Sequence, residues 1–300
     1  MQTTLTQALA RLPLWDAAFT PDPIPLTGGI TNRNYRLDVG ADSYVLRLSG
    51  ENTDLLGIHR RTERAANAAA FALGLAPEVV YFLEPEGYLV TRFVEGAPLS
   101  AETLREPGWL KQVAQALARF HAHGPALDHA FDIFQVLADL TEVARQHHGR
   151  FPENFAWLMA RVAEVQRAFA RAPYTPRPCH NDLLSANFLD QQGRLIILDW
   201  EYAGMGDVTF DLANFACHHA LDDAQLRFFL ECYFGAATEK HLARVRLMEP
   251  LSDMREALWG VAQTGLSTLD EDFAGYARQW FERAGAAFQA PRLGEWLELA

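Results

Sequence analysis

Two stretches that alternate apolar and polar residues, NYRLDV at 34–39 and SYVLRLS at 43–49, set the first structural expectation. A period of two marks half-buried strands, and the VGADS between them supplies a turn. Ahead of them, the first two dozen residues read as a short amphipathic helix and a proline-rich link, PDPIP. After them, HRRTERAANAAAFALG predicts an Ala-rich helix closed by Gly74, with Pro77 beyond it. PEVVYFL and YLVTRFV, joined by the turn EPEG, predict a second hairpin. Residues 24–94 are therefore expected to form a small sheet carrying one helix.

Beyond VEGAPLS the period changes. In LKQVAQALARFHAHG, the residues Leu110, Val113, Ala114, Leu117 and Phe120 share one helical stripe, and Gly124-Pro125 ends it. Helical patterns recur near 132–147 and 153–171, and again from Phe210 to the end. Between them NFLD, the turn QQGR and the apolar run LIILDW predict a hairpin embedded in the helical region. The expected architecture is α+β: a β-rich lobe over 1–94, a linker at 95–99 and a helical lobe over 100–300. There is no internal repeat and no low-complexity tail.

Composition narrows the classes. With 49% hydrophobic residues, a chain of 300 residues has ample material for a core. A net charge of −12 argues against a general nucleic-acid binder, which needs a basic face. The most apolar stretch, AANAAAFALGLAPEVVYFL, is broken by Asn67, Gly74, Pro77 and Glu78, so it reads as helix, turn and strand. Cys179, Cys217 and Cys232 form no CxxC, and no signal-peptide pattern opens the chain; reduced thiols in a soluble cytoplasmic protein are expected. Oligomeric state is not legible. The chain has only two lysines, Lys111 and Lys240, which matters below.

The candidate chemistry lies in CHNDLLSANFLDQQGRLIILDWEYAGMGD, residues 179–207. Taken singly, Asp182 reads as a turn cap and Asp199 as a strand end. Together the spacing says more. The hairpin brings Asn187 and Asp199 opposite each other, and an amide oxygen beside a carboxylate suits Mg²⁺ when phosphates complete its shell. Asp182, upstream on the loop, is then available to take a proton from a hydroxyl. In GGITN, Gly28 and Gly29 allow close approach of backbone N–H groups to phosphate. In YVLRLSG, Tyr44, Leu46 and Leu48 share one face, leaving Val45 and Arg47 on the other. A metallohydrolase built on the histidine pairs His147-His148 and His218-His219 is disfavoured, because adjacent side chains on a helix diverge by about 100°.

His180-x-Asp182-x4-Asn187, followed by Asp199 in IILDW, resembles the catalytic loop and metal-binding Asp of the aminoglycoside phosphotransferase and choline/ethanolamine kinase superfamily. GGITNRNYRL, YVLRLSG, LVTRFVEG and GMGDVTFDLANF match in the same order, so the resemblance spans nearly the whole chain. It implies a protein-kinase-like two-lobe fold and an ATP- and Mg²⁺-dependent small-molecule kinase. By resemblance Asp182 is the base and Asn187 and Asp199 hold Mg²⁺. Gly28, Gly29, Thr31, Asn32, Arg47 and Glu63 serve the nucleotide, and His180 and Asp211 brace the catalytic loop. Arg47 stands where many relatives carry lysine; Glu63 is its expected ion-pair partner, with Glu51 the alternative. LVTRFVEG is the expected adenine-receiving linker.

MREALWGVAQTGLSTLDEDFAGYARQWFERA resembles the last helices of choline and ethanolamine kinases, which hold an ammonium among aromatic faces. Trp259, Tyr202, Trp200 and Glu201 are candidates for such a site, with Asp270, Glu271 and Asp272 adding charge. Glu256 departs from the pattern of eukaryotic choline kinases, which carry a second tryptophan there; a carboxylate suits a primary ammonium, or another cation, at least as well as trimethylammonium. The acceptor expected is choline or ethanolamine. The alternatives are thiamine, aminoglycosides, homoserine, or a catalytically silent nucleotide-binding regulator.

Overall fold

The alternation around Tyr44 becomes the middle of a five-stranded antiparallel sheet. In the computed structural model, which describes residues 4–16, 20–26, 32–50, 52–267, 269 and 271–300, the chain forms two compact units. One comprises Met1–Leu99 with Ala186–Tyr202; the other comprises Ser100–Ser185 with Ala203–Ala300.

In the first unit, α1 (Leu5–Ala10) precedes β1 (Ile24–Leu26), β2 (Arg33–Val39) and β3 (Asp42–Leu48). Then come α2 (Arg60–Ala72), β4 (Val79–Leu83) and β5 (Tyr88–Arg92). The sheet order is β1-β2-β3-β5-β4. Leu37, Tyr44, Leu46, Leu48, Leu83, Tyr88 and Val90 cluster with Ala8, Leu9 and Leu12, so α1 seals that face. The period of two then leaves Val45 and Arg47 on the opposite face. Helix α2 ends in paired capping bonds: the Leu75 N–H to the Ala70 carbonyl at 2.8 Å and the Gly74 N–H to the Phe71 carbonyl at 2.7 Å. That wrap needs a left-handed residue, and Gly74 has φ +69.

Residues 186–202 depart from the sequence expectation, which placed them within the helical lobe. Strands Phe188–Gln191 and Arg194–Ile197 turn through Gln192 and Gly193, both at positive φ, and are joined by Ala97–Pro98 in a three-stranded sheet. The Ile197 N–H donates to the Leu75 carbonyl at 2.7 Å, and Arg194 donates to the Gly74 carbonyl at 2.9 Å. Backbone bonding to the end of α2 and to the 97–99 segment thus assigns the hairpin to the sheet unit.

The second unit contains α3 (Ala101–Leu104), α4 (Pro107–His123), α5 (Ile133–Gln146), α6 (Phe155–Ala170) and α7 (Val208–His218). Helices α8 (Asp223–Phe234), α9 (Glu239–Leu266), α10 (Phe273–Ala287) and α11 (Leu293–Leu299) complete it. Two short strands, Arg177–Cys179 and Gly204–Gly206, pair antiparallel and flank residues 180–203 in the sequence. Helix α9 is the hub: it packs against α5, α7, α10 and α11. It is buried almost all round from Leu242 to Gln263. Asp207 caps α7 through the Thr209 N–H and receives Arg244 of α9 at 2.9 Å, tying the two helices at a buried charge pair. Among the described residues, no helix is long and apolar enough to cross a membrane.

Candidate active site

In the first unit, Arg47 projects from the sheet face opposite the core and donates to two carboxylates, Glu63 of α2 and Asp199. Asp199 follows the buried strand Arg194–Ile197 and has a left-handed backbone, φ 59, uncommon for a residue with a side chain. It is 30% exposed, against 1% for Glu63. The Leu198 N–H donates to the Asn187 carbonyl at 2.8 Å, so the hairpin sets the residue before Asp199 against Asn187. Their donor set, an amide oxygen and a carboxylate, fits a hard divalent cation that also bonds phosphate oxygens.

Three further residues complete this network. Arg60 donates to Glu63 at 2.8 Å, to Glu201 at 3.1 Å and to the Asn32 side-chain oxygen at 3.2 Å. Asn32 in turn donates to Glu201 at 2.8 Å. Two guanidinium groups thus meet three carboxylates in a largely buried cluster. Burial, and then the neighbouring Asp199 charge, push the Glu201 carboxyl above its ordinary value. Burial lowers Arg60, against the opposing pull of Glu201.

These contacts place one of the acceptor candidates. Glu201 is bound into the Arg60–Asn32 cluster, and Tyr202, the next residue in the sequence, is buried in the same unit. Trp200 is a core residue whose indole N–H donates to the Ile197 carbonyl at 3.1 Å. Arg60 was not singled out in the sequence, although its place one helical turn before Glu63 was a usable signal. Gly28, Gly29, Thr31, Glu51 and Asp270 lie outside the described residues.

In the second unit the loop after Cys179 is pinned by α7. Fully buried Asp211 accepts the His180 N–H at 2.8 Å and the Asn181 N–H at 2.6 Å. It also bonds His121 Nε2 at 2.9 Å, while Tyr233 reaches Nδ1 of that ring at 2.6 Å. One arrangement satisfies all these groups: the phenol donates to Nδ1, and Nε2–H donates to the carboxylate. Burial raises the Asp211 carboxyl, but His121 and the backbone donors outweigh it and hold the group below its ordinary value. His121, Cys179 and Asp211 are grouped closely enough to suggest a metal. His121 and Asp211, however, bond each other, and burial keeps the Cys179 thiol protonated, so the trio reads as a hydrogen-bonded brace.

The next turn is held in the same way. Asn214 of α7 accepts the Leu183 N–H at 2.5 Å and donates to Ser252 of α9 at 2.9 Å. The Asp182 N–H donates to Nδ1 of His180 at 3.2 Å. With its backbone fixed on both sides, Asp182, 8% exposed, meets Arg255 Nη1 at 3.1 Å. The same nitrogen donates to Glu256 at 2.8 Å, and the Tyr276 hydroxyl donates to the other Glu256 oxygen at 2.6 Å. Burial and the Glu256 charge push that phenol above its usual range, so it remains a donor. Trp259 stands edge-on to Tyr276 and to Phe273, each ring at 5.8 Å. Asp182 thus has an acidic and aromatic wall within its own unit.

Asp272 does not join this wall; it caps α10, accepting the Gly275 N–H at 2.8 Å. His218 and His219 are held neutral by burial, the latter pushed down to about 4.

A model described as the phosphotransferase enzyme family matches residues 22–248, and the chain belongs to that family. Its fold is the mixed α+β, protein-kinase-like one. The chain is 28% identical over 279 residues to Protein LicA of Haemophilus influenzae, covering 89% of this chain and 79% of that protein. It is also 28% identical over 286 residues to ethanolamine kinase 2 of Mus musculus, covering 83% and 71%. A solved choline/ethanolamine kinase family protein from Mesorhizobium loti superposes with a TM-score of 0.83 at 29% identity, covering 97% of this chain and 96% of that one. The chain is a phosphotransferase, similar in sequence and fold to choline and ethanolamine kinases.

Proposed function

We propose that this enzyme transfers the γ-phosphoryl group of ATP to the hydroxyl of a small amino alcohol, choline or ethanolamine. The observation that carries the reading is Asp182: a carboxylate on a loop fixed by Asp211 and Asn214, joined through Arg255 to the Glu256–Tyr276–Trp259 wall. Aromatic edges and faces beside a carboxylate suit an ammonium group, and its β-hydroxyl is only two carbons away. Asp182 takes the hydroxyl proton as the oxygen attacks phosphorus. Asn187 and Asp199 would hold Mg²⁺, which neutralises phosphate charge when bound. Arg47, oriented by Glu63, and Asn32 serve the nucleotide side, with Gly28, Gly29 and Thr31 shortly before Asn32 in the sequence. His180 and Asp211 brace the loop that carries the base.

Glu256 favours the primary ammonium of ethanolamine, whose N–H groups can bond to a carboxylate that trimethylammonium can only face. ADP release measured with ATP, Mg²⁺ and a panel of choline, ethanolamine, thiamine, homoserine and kanamycin tests the reading. Turnover fastest with ethanolamine or choline supports it. Turnover only with kanamycin, thiamine or homoserine moves the acceptor class. ATP binding with no turnover on any of them favours a silent regulator.

A further inference from the structure

An arginine that the sequence reading gave no role, Arg255 in the stretch MREALWGVAQ, touches the side chain of the proposed base. Arg255 is 3% exposed, and its Nη1 alone bridges Asp182 Oδ1 and Glu256 Oε1. We propose that Arg255 is the positioning residue for Asp182, fixing the plane of its carboxylate and keeping it ionised. The inference rests on the reading of Asp182 as the base.

The bonds already described fix the backbone around Asp182, but two side-chain torsions remain to be set. A base displaced by about 1 Å loses on the order of 100-fold in rate, so something must restrain those torsions. The guanidinium does so from α9, the element that also carries Glu256 and Trp259. That helix is set firmly against α10: a Cβ on Gly260 would meet Tyr276 at 3.0 Å and Ala277 at 3.1 Å. One rigid element therefore places both the base and the wall that would hold the acceptor.

Charge points the same way. A buried carboxylate without a cation nearby drifts toward its neutral form and ceases to be a base. Arginine stays charged in any such environment. Stability alone is a poor reason for the arrangement, because a buried ion pair or triad is often no more stabilising than apolar residues of similar volume. The three groups, two carboxylates and one guanidinium, carry one net negative charge, which matches a singly charged ammonium.

Arg255→Met and Arg255→Lys in the full chain test this, assayed with whichever panel acceptor the wild type turns over fastest. Loss of the guanidinium removes one positive charge, and even if one carboxylate then takes up a proton the wall keeps its net negative charge, so a cationic acceptor binds no worse while the base loses its restraint. Arg255→Met is expected to lower kcat by about 30-fold or more, with acceptor KM unchanged or lower and ATP affinity within about twofold. Arg255→Lys, whose ammonium can also bridge two carboxylates, is expected to recover kcat to within about fivefold of wild type. A purely structural arginine gives a different result: a lower melting temperature without a kcat-against-KM split. A kcat for Arg255→Met within twofold of wild type overturns the inference while leaving the proposed function standing. If the Met variant does not fold, a folded Arg255→Lys as slow as Asp182→Asn overturns it instead. A wild type that turns over no acceptor overturns both readings together.

Discussion

Asp211→Asn is the most informative single change for the architecture of the loop. The carboxylate is fully buried and accepts from the His180 N–H, the Asn181 N–H and His121. Asparagine fills nearly the same volume, keeps one oxygen, and turns an NH₂ toward one of those donors. If the retained oxygen keeps His180 and His121, the Asn181 N–H faces another donor and the surviving bonds lose their charge. Bonds to a charged group contribute about 1.5–3 kcal/mol each. Losing one and weakening two costs about 3–5 kcal/mol, a large share of the roughly 5–15 kcal/mol that holds a typical domain together.

At about 2–4 °C per kcal/mol for a unit of this size, the melting temperature should fall by roughly 6–20 °C. Circular dichroism melts over a range of pH measure it. The pH sign follows from the depressed Asp211 carboxyl. Its contribution is complete above its ordinary value of 3.8 and is lost as pH falls through the lower, folded-state value. The gap between wild type and variant should therefore be constant from about pH 5 to 8 and close in more acid solution. A melting temperature within 2 °C of wild type, with kcat unchanged, refutes the claim that this carboxylate holds the loop.

Arg47→Lys removes a fork that reaches two carboxylates with two nitrogens, and is expected to lower kcat/KM for ATP by about 10-fold or more in steady-state assays. Glu256→Gln should raise KM for ethanolamine by about 10-fold, a cost of about 1.4 kcal/mol, and affect choline less. Burial pushes Glu249 and Asp253 up to about 7. In the unfolded chain both lose their protons first, so stability should decline as pH rises from about 4.5 to 7. Glu249→Gln should flatten that slope in thermal melts.

Much of this was legible because it is periodic or local. The alternation at Tyr44, Leu46 and Leu48 named both faces of β3, and with them the outward side of Arg47. Gly74 marked the end of α2, since only a left-handed residue allows that cap. The spacing of Asp182, Asn187 and Asp199 marked the residues on which the proposed chemistry rests. Other features depend on contacts between distant segments. Helix α9 is buried on nearly every side, so it shows no polar face to read, and Arg255 looked no different from any helix charge. Asp272 looked like an acceptor ligand because an acid at a helix start has the same letter whether it caps or binds. The assignment of residues 186–202 to the sheet unit rests on the Ile197 N–H bond to the Leu75 carbonyl and the Arg194 side-chain bond to the Gly74 carbonyl, which no local pattern records.

The central claim is that Asp182 drives phosphoryl transfer to an amino alcohol hydroxyl. Phosphorus NMR of a reaction with ATP, Mg²⁺ and ethanolamine or choline, run with wild type and with Asp182→Asn, addresses it directly. The account predicts an acceptor phosphomonoester with the wild type and a rate at least about 100-fold lower with the variant, at a nucleotide affinity within about threefold. A variant that forms the phosphomonoester at the wild-type rate, or a wild type that binds ATP yet phosphorylates neither amino alcohol, contradicts it.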